Sequence, residues 1–244
     1  YYIQQLAQFD WIAVVYAMRP FNTHNVETRT GTLRVSQWEV PSETPPKITV
    51  VTVHPWAPLG GGEHNCVGLA KELLSEPGLA RILTFQLCSS SMVWGVCTNH
   101  GEEIQQIVDV CNWADQLFGD GRKGSVILLG SSAGAPQAGA ALDACDAVVG
   151  LACVGYTFGR FASIAFGRHF KNVLNSPKPR LFIMGDKDEF TTVEQLAERV
   201  EYGSRSGACE SIIVPRCGHF ELESPAYDRQ VAQYVIDWIN KGDF

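Results

Sequence analysis

Four consecutive apolar residues, Val126-Ile127-Leu128-Leu129, run straight into Gly130-Ser131-Ser132-Ala133-Gly134 and then into the small-residue stretch Ala135 to Ala141. This juncture constrains the fold more than any other part of the chain. An apolar run without polar alternation predicts a strand buried on both faces. Strands of that kind belong to parallel sheets covered by crossover helices. The glycines permit a sharp reversal and leave room for strand and helix to approach. Ala135, Ala138, Gly139 and Ala140 then let the following helix pack closely on the sheet.

The same alternation of strand and helix holds from residue 47 onward. Lys47 to Val53 is β-branched and reads as a strand. Asn65 is placed to cap a helix over Cys66 to Leu74, which ends near Pro77-Gly78. Ile82 to Phe85 is a second buried strand, and Ile104, Ile107, Val108, Cys111 and Phe118 mark one face of the next helix. Ala147 to Val154 and Arg180 to Met184 supply further strands. Thr191 or Thr192 opens a helix with Glu194 or Gln195 placed for a capping box. Ser211 to Val214 is the last strand. Ser224 is then expected to cap a helix with Pro225 at its first position and Val231, Tyr234, Val235, Trp238 and Ile239 on one face. Earlier, Thr28 to Val40 reads as a hairpin on the sheet edge. The expectation is one α/β domain over residues 1–244, with an N-terminal segment and edge hairpin over 1–46 and a core over 47–240.

Gly130 to Gly134 is a G-x-S-x-G pattern in the context that gives it meaning: strand, sharp turn, helix. The pattern puts the reactive hydroxyl at its centre, so Ser132 and not Ser131 is the candidate nucleophile. A serine hydroxyl is a poor nucleophile at neutral pH and needs a base, itself oriented by a carboxylate. Where this motif carries a triad, the chain order is serine, acid, histidine. After Ser132, the strand ending at Met184 runs into Gly185-Asp186-Lys187-Asp188-Glu189, and Asp188 is the candidate acid. Asp186 and Glu189 read as a solvated acidic turn. Of six histidines, only His219 follows Asp188, just beyond the last strand. It is the candidate base.

Acyl transfer also needs two N–H donors aimed at the developing oxyanion. Ala133, directly after the nucleophile, supplies one. The other belongs in the loop His54 to Gly62, where Pro55 and Pro58 have no N–H and Trp56 is favoured over Ala57. The cleft walls fall to loops 55–62, 88–98 and 156–165 and the loop carrying His219. His54, Trp94, Tyr156 and Phe158 are the expected pocket residues.

Composition narrows the partners. There are 19 Lys and Arg against 26 Asp and Glu, a formal charge of −7. Phosphate binding needs a basic face, so nucleic acid is not an expected partner. No apolar stretch approaches the roughly 20 residues that span a bilayer, so no integral membrane segment is expected. Trp11 to Met18 lacks the basic start and cleavage pattern of a signal peptide. The start at Tyr1 rather than Met fits a chain trimmed of a leader. Eight cysteines are scattered without CxxC pairs or zinc spacing. They read as free thiols of a reducing, cytoplasmic compartment. Cys88 and Cys97, which bracket one loop, are the pair to watch. No metal or other cofactor is implied, and the oligomeric state is not written in the sequence.

With these residues in place, the chain resembles the α/β-hydrolase superfamily over residues 47–240, about four-fifths of its length. His54 to Asn65 is similar to the HP-x-x-x-x-GG loop of small dienelactone-hydrolase-like members. Gly130-Ser-Ser-Ala-Gly-Ala-Pro-Gln-Ala-Gly and Ser176-Pro-Lys-Pro-Arg-Leu-Phe-Ile-Met-Gly resemble segments of plant-type small α/β-hydrolases. The resemblance implies a Ser132, Asp188, His219 triad and hydrolysis of a small-molecule carboxylic ester. Another acyl hydrolase (thioesterase, peptidase or lipid acyl hydrolase) is the alternative, followed by a non-catalytic binding member. Gly155 to Pro177 holds only one short segment, so no large lid domain is expected.

Overall fold

The structure, a computed structural model, describes residues 19–42, 45–55, 61–88, 100–121, 124–242 and 244. In chain order, β1 (Asn22–Thr28) and β2 (Gly31–Trp38) form an antiparallel hairpin. They are followed by β3 (Ile48–Val53), α1 (Glu63–Leu73), β4 (Ala80–Phe85) and α2 (His100–Phe118). Next come β5 (Val126–Ser131), α3 (Gly134–Ala141), β6 (Val148–Val154) and α4 (Arg160–Asn175). The chain continues with β7 (Arg180–Gly185), α5 (Val193–Gly203) and β8 (Cys209–Val214), and closes with α6 (His219–Leu222) and α7 (Asp228–Lys241). The strands make one eight-stranded sheet in the order β1-β2-β4-β3-β5-β6-β7-β8. β3 to β8 run parallel, and the hairpin is added antiparallel through β2 on β4.

Burial on both sheet faces explains the unbroken apolar run Val126 to Leu129 of β5. Ile127 and Leu129 pack into one core beneath α1 and α7, while Leu128 between them packs into the other beneath α2, α3 and α4. Successive side chains of a strand point to opposite faces, so both must be apolar. Between β6 and β7 the chain makes α4 and no inserted domain. Among the described residues, no helix is long and apolar enough to cross a membrane.

Three expected boundaries move. The hairpin turn falls at Arg29-Thr30, so Thr28 ends its first strand rather than starting it. Asn65 lies inside α1, where its Oδ1 accepts from the Gly62 N–H at 2.9 Å, and Gly62 stands at the cap. The helix expected at Pro225 begins at Asp228, because Ser224 to Tyr227 first make a turn closed by Tyr227 N–H to Ser224 O at 3.0 Å. The capping box at the start of α5 forms as expected, between Thr192 and Gln195. Seven cysteines are free thiols, most of them buried, and Cys97 lies outside the described residues.

Strand register brings the ends of the central strands level. Val53 pairs with Gly130, Ser131 with Val154, and Gly185 with Val214. The carboxyl ends of β3, β5, β6, β7 and β8 therefore stop side by side. The residues just beyond them share one edge of the sheet, where open α/β sheets hold their ligands.

Candidate active site

Ser132 follows β5 in the left-handed region, at φ 49°, which a non-glycine residue occupies only when its surroundings impose it. Its N–H donates to Val154 O at 2.9 Å, tying the turn to β6. On the helix side, a Cβ on Gly134 would collide with the carbonyl oxygens of Val53 and His54. Glycine is required there because α3 starts in contact with the end of β3. The result lifts the Ser132 hydroxyl off the sheet edge, half-buried but reachable.

Asp188 lies beyond β7 with its side chain fully buried. One carboxylate oxygen, Oδ1, accepts from the N–H groups of Phe190 at 2.8 Å and Thr191 at 2.9 Å. These bonds aim the other oxygen, Oδ2, at His219 Nδ1, 2.7 Å away. On the other side of the ring, Nε2 lies 2.8 Å from Ser132 Oγ. A carboxylate only accepts, which assigns the proton to Nδ1 and leaves the Nε2 lone pair facing the serine hydroxyl. Serine, histidine and aspartate thus form one continuous line, although Ser132 and His219 stand 87 residues apart in the chain.

The ring itself is held on several sides. His219 N–H donates to Glu189 Oε2 at 2.9 Å, so Glu189 is not the free solvated carboxylate expected from the sequence. Phe190 and Phe220 present their rings to the imidazole, with centroids at 4.6 and 5.4 Å. Gly155, at φ 62°, passes so close that a Cβ would stand 2.9 Å from His219 Cε1. Burial alone would lower the imidazole pKa. The hydrogen bond to Asp188 and the charges of Glu223, Asp188 and Glu189 outweigh it, and the group stands above its ordinary 6.5. Asp186 is exposed and held below the ordinary carboxylate range, first by the Arg216 backbone and then by Cys217 N–H.

Ala133 stands at the N-cap of α3, whose first N–H groups have no partner within the helix. Trp56 and Trp94 lie outside the described residues. The remaining pocket expectations need correction. Tyr156 and Phe158 are 2% and 3% exposed and stack on each other with centroids 4.1 Å apart, against Phe170 and Phe182. They belong to the core, because large aromatic area at a strand end is better removed from water. His54 is also buried. Its Nε2 accepts from Leu87 N–H at 3.0 Å and Gln86 Nε2 at 2.9 Å, and its Nδ1 donates to Pro55 O at 2.6 Å. The ring is a neutral pin between the loops after β3 and β4, with its pKa lowered chiefly by burial.

His54→Ala is therefore expected to destabilise the fold by about 1–3 kcal/mol, since it strands the buried Leu87 N–H. Urea unfolding measures this. The pin is strongest above the ordinary histidine pKa of 6.5 and weakens as pH falls from there through the lowered folded value. The wild-type advantage over the mutant should shrink in that window.

Sequence reasoning missed Glu223, Phe190 and Phe220. The available signal was spacing: Glu223 stands four residues after His219, one helical turn on.

No protein-family model and no curated protein matches the chain. Solved structures do match its fold. An alpha-beta serine hydrolase homologue from Coxiella burnetii superposes with a TM-score of 0.69 at 19% identity, covering 92% of this chain and 99% of its own. An a/b serine hydrolase without lid from Xanthomonas campestris gives 0.67 at 21% identity, over 89% and 94%. A hyperthermophilic esterase from Pyrobaculum calidifontis gives 0.68 at 13% identity, over 96% and 87%.

Proposed function

Proceeding from an α/β-hydrolase fold without a large lid domain, we propose that the protein is a serine hydrolase of small carboxylic esters. Ser132 is the nucleophile, His219 the base and Asp188 the acid that orients it. The observation that carries this reading is the unbroken hydrogen-bonded line from Ser132 Oγ through His219 to Asp188 Oδ2, at 2.8 and 2.7 Å.

In the reaction, Ser132 Oγ attacks the ester carbonyl carbon while its proton passes to His219 Nε2. The imidazolium so formed is stabilised by Asp188. The oxyanion is received by the Ala133 N–H and a second donor, for which Trp56 N–H is the candidate. As the tetrahedral intermediate collapses, Nε2 returns the proton to the departing alkoxide and the acyl group stays on Ser132. Water then attacks the acyl-enzyme with His219 again as base, releasing the acid. Because the imidazole must be neutral to begin, the rate should fall as pH drops through a value above 6.5. The partly exposed Phe190 and the exposed Phe220 give the substrate an apolar rim beside the base.

The test is labelling with a fluorophosphonate probe, mapped by mass spectrometry, followed by a panel of ester, thioester and amide substrates. Labelling at Ser132 with esters cleaved fastest is the expected outcome. An unlabelled Ser132 would favour a binding role, and a faster thioester or amide would reassign the substrate class. Chain length gives a sharper expectation. We infer a shallow cleft, since only α4 lies between β6 and β7, and such a cleft gains roughly 0.8 kcal/mol per buried methylene only until its wall is reached. Turnover of p-nitrophenyl esters should thus peak at roughly two to six acyl carbons, with no jump on emulsified substrate, as the described residues hold no large lid for an interface to open. Rates that keep rising into long acyl chains would point to a lipid acyl hydrolase.

A further inference from the structure

A second carboxylate stands at the other end of the imidazole. Glu223 Oε1 lies 3.9 Å from His219 Nε2, the nitrogen that faces Ser132, and accepts the Ser131 hydroxyl at 2.8 Å. Its side chain is 11% exposed. His219 therefore has an acid near each ring nitrogen, Asp188 at Nδ1 and Glu223 near Nε2. Ser131, whose hydroxyl has no place in the proposed reaction, holds Glu223 in this position.

We propose that Glu223 is a positioning residue of the site, whose charge stabilises the His219 imidazolium from the serine side and sets the pH at which the base becomes available. This rests on the reading of Ser132 and His219 given above. A negative charge about 4 Å from Nε2 favours the protonated ring whenever it occurs. In the resting protein that form is inactive, so Glu223 holds the acid limb of the rate profile at higher pH. In the transition state the same form is the one being made, so Glu223 raises the plateau rate. The two effects are inseparable consequences of one charge. Other groups around the pair are Asp188 and Glu189 from the loop after β7, and Cys66 from α1, whose thiol burial pushes up to about 12. Burial, and after it the Asp188 charge, raises the Glu223 pKa above its ordinary value, against the pull of His219 and the hydroxyls of Ser131 and Ser132.

Glu223→Gln keeps the shape and the acceptor for Ser131 but removes the charge. Its expected signature is double: the acid limb of kcat/KM moves to lower pH, and the plateau falls at least about fivefold. About fivefold is the factor that two unit charges roughly 4 Å apart give even at the dielectric of water. Glu223→Ala should move the limb the same way, whereas Ser131→Ala, which keeps the charge, should displace it less. Circular dichroism checks that each variant is folded. A plateau that drops while the limb stays fixed would mean that Glu223 only braces the turn, and would overturn the proposal. Proton NMR titration of the His219 ring, assigned against His219→Gln, reads the same pairing without turnover. If the wild type neither hydrolyses esters nor labels at Ser132, the reading of the site fails. The NMR midpoint then decides alone: lower in Glu223→Gln supports the pairing, and unchanged refutes it.

Discussion

Ser132→Ala is expected to cut ester hydrolysis by at least about 10³- to 10⁴-fold while the protein stays folded. The hydroxyl is half-buried and bonded to His219 Nε2 at 2.8 Å, so removing it opens no core cavity. Members of a serine triad act as a unit, so on the proposed reading whatever rate remains comes from the oxyanion donors and substrate binding. Ser131→Ala belongs in the same experiment. That hydroxyl is bonded to Glu223 and not to the base, so its loss should be far milder. Equal turnover in wild type and Ser132→Ala would remove Ser132 from the mechanism.

Asp188→Asn should cost on the order of 10⁴-fold in kcat, and Asp186→Asn far less. The hydrogen-bond pattern gives the reason. Oδ1 of residue 188 accepts two backbone N–H groups, so an asparagine there keeps its carbonyl oxygen in that place and turns its NH₂ toward His219. The NH₂ donates, which forces Nδ1 to accept and moves the ring proton to Nε2. A protonated Nε2 cannot take the proton from Ser132. Asp186 contacts the backbone of the turn after β8 and does not touch the imidazole, so its amide variant loses only local support. Steady-state kinetics of the two variants side by side decide the matter; greater damage from Asp186→Asn would overturn the assignment of the acid.

The parts of this protein that can be read from the chain are those set by local rules. A strand buried on both faces is mostly apolar, so β3, β4, β5 and β7 are visible as short apolar runs, even with Thr49, Thr52, Arg81, Thr84 and Arg180 buried among them. The Ser132 turn is visible because few sequences take a strand through a left-handed residue into a tightly packed helix. Asp188 and His219 are visible through their order and their places after the last two strands. Boundaries are less so. Ser224-Pro225 has the residues of a helix start, yet hydrogen bonds from α6 through Tyr227 make a turn of it first.

Short-range pattern along the chain is enough for the alternation of strand and helix, the mostly parallel sheet and the places of Ser132, Asp188 and His219 after its strands. Tertiary structure decided which side chains meet. Aromatic character does not say whether a ring faces a cleft or a core, and burial drew Tyr156 and Phe158 into the core while Phe190 and Phe220 stayed at the rim. A histidine after a strand does not reveal its partners, and the loop after β4 made His54 a pin. Only α6, four residues long, sets Glu223 one turn from His219, and only the packing of that segment against the end of β5 brings Ser131 within reach of it. Local pattern is a property of neighbours in the chain. The field around the His219 ring is the sum of groups from β5, from the loop after β7 and from α6, and packing alone brings those together.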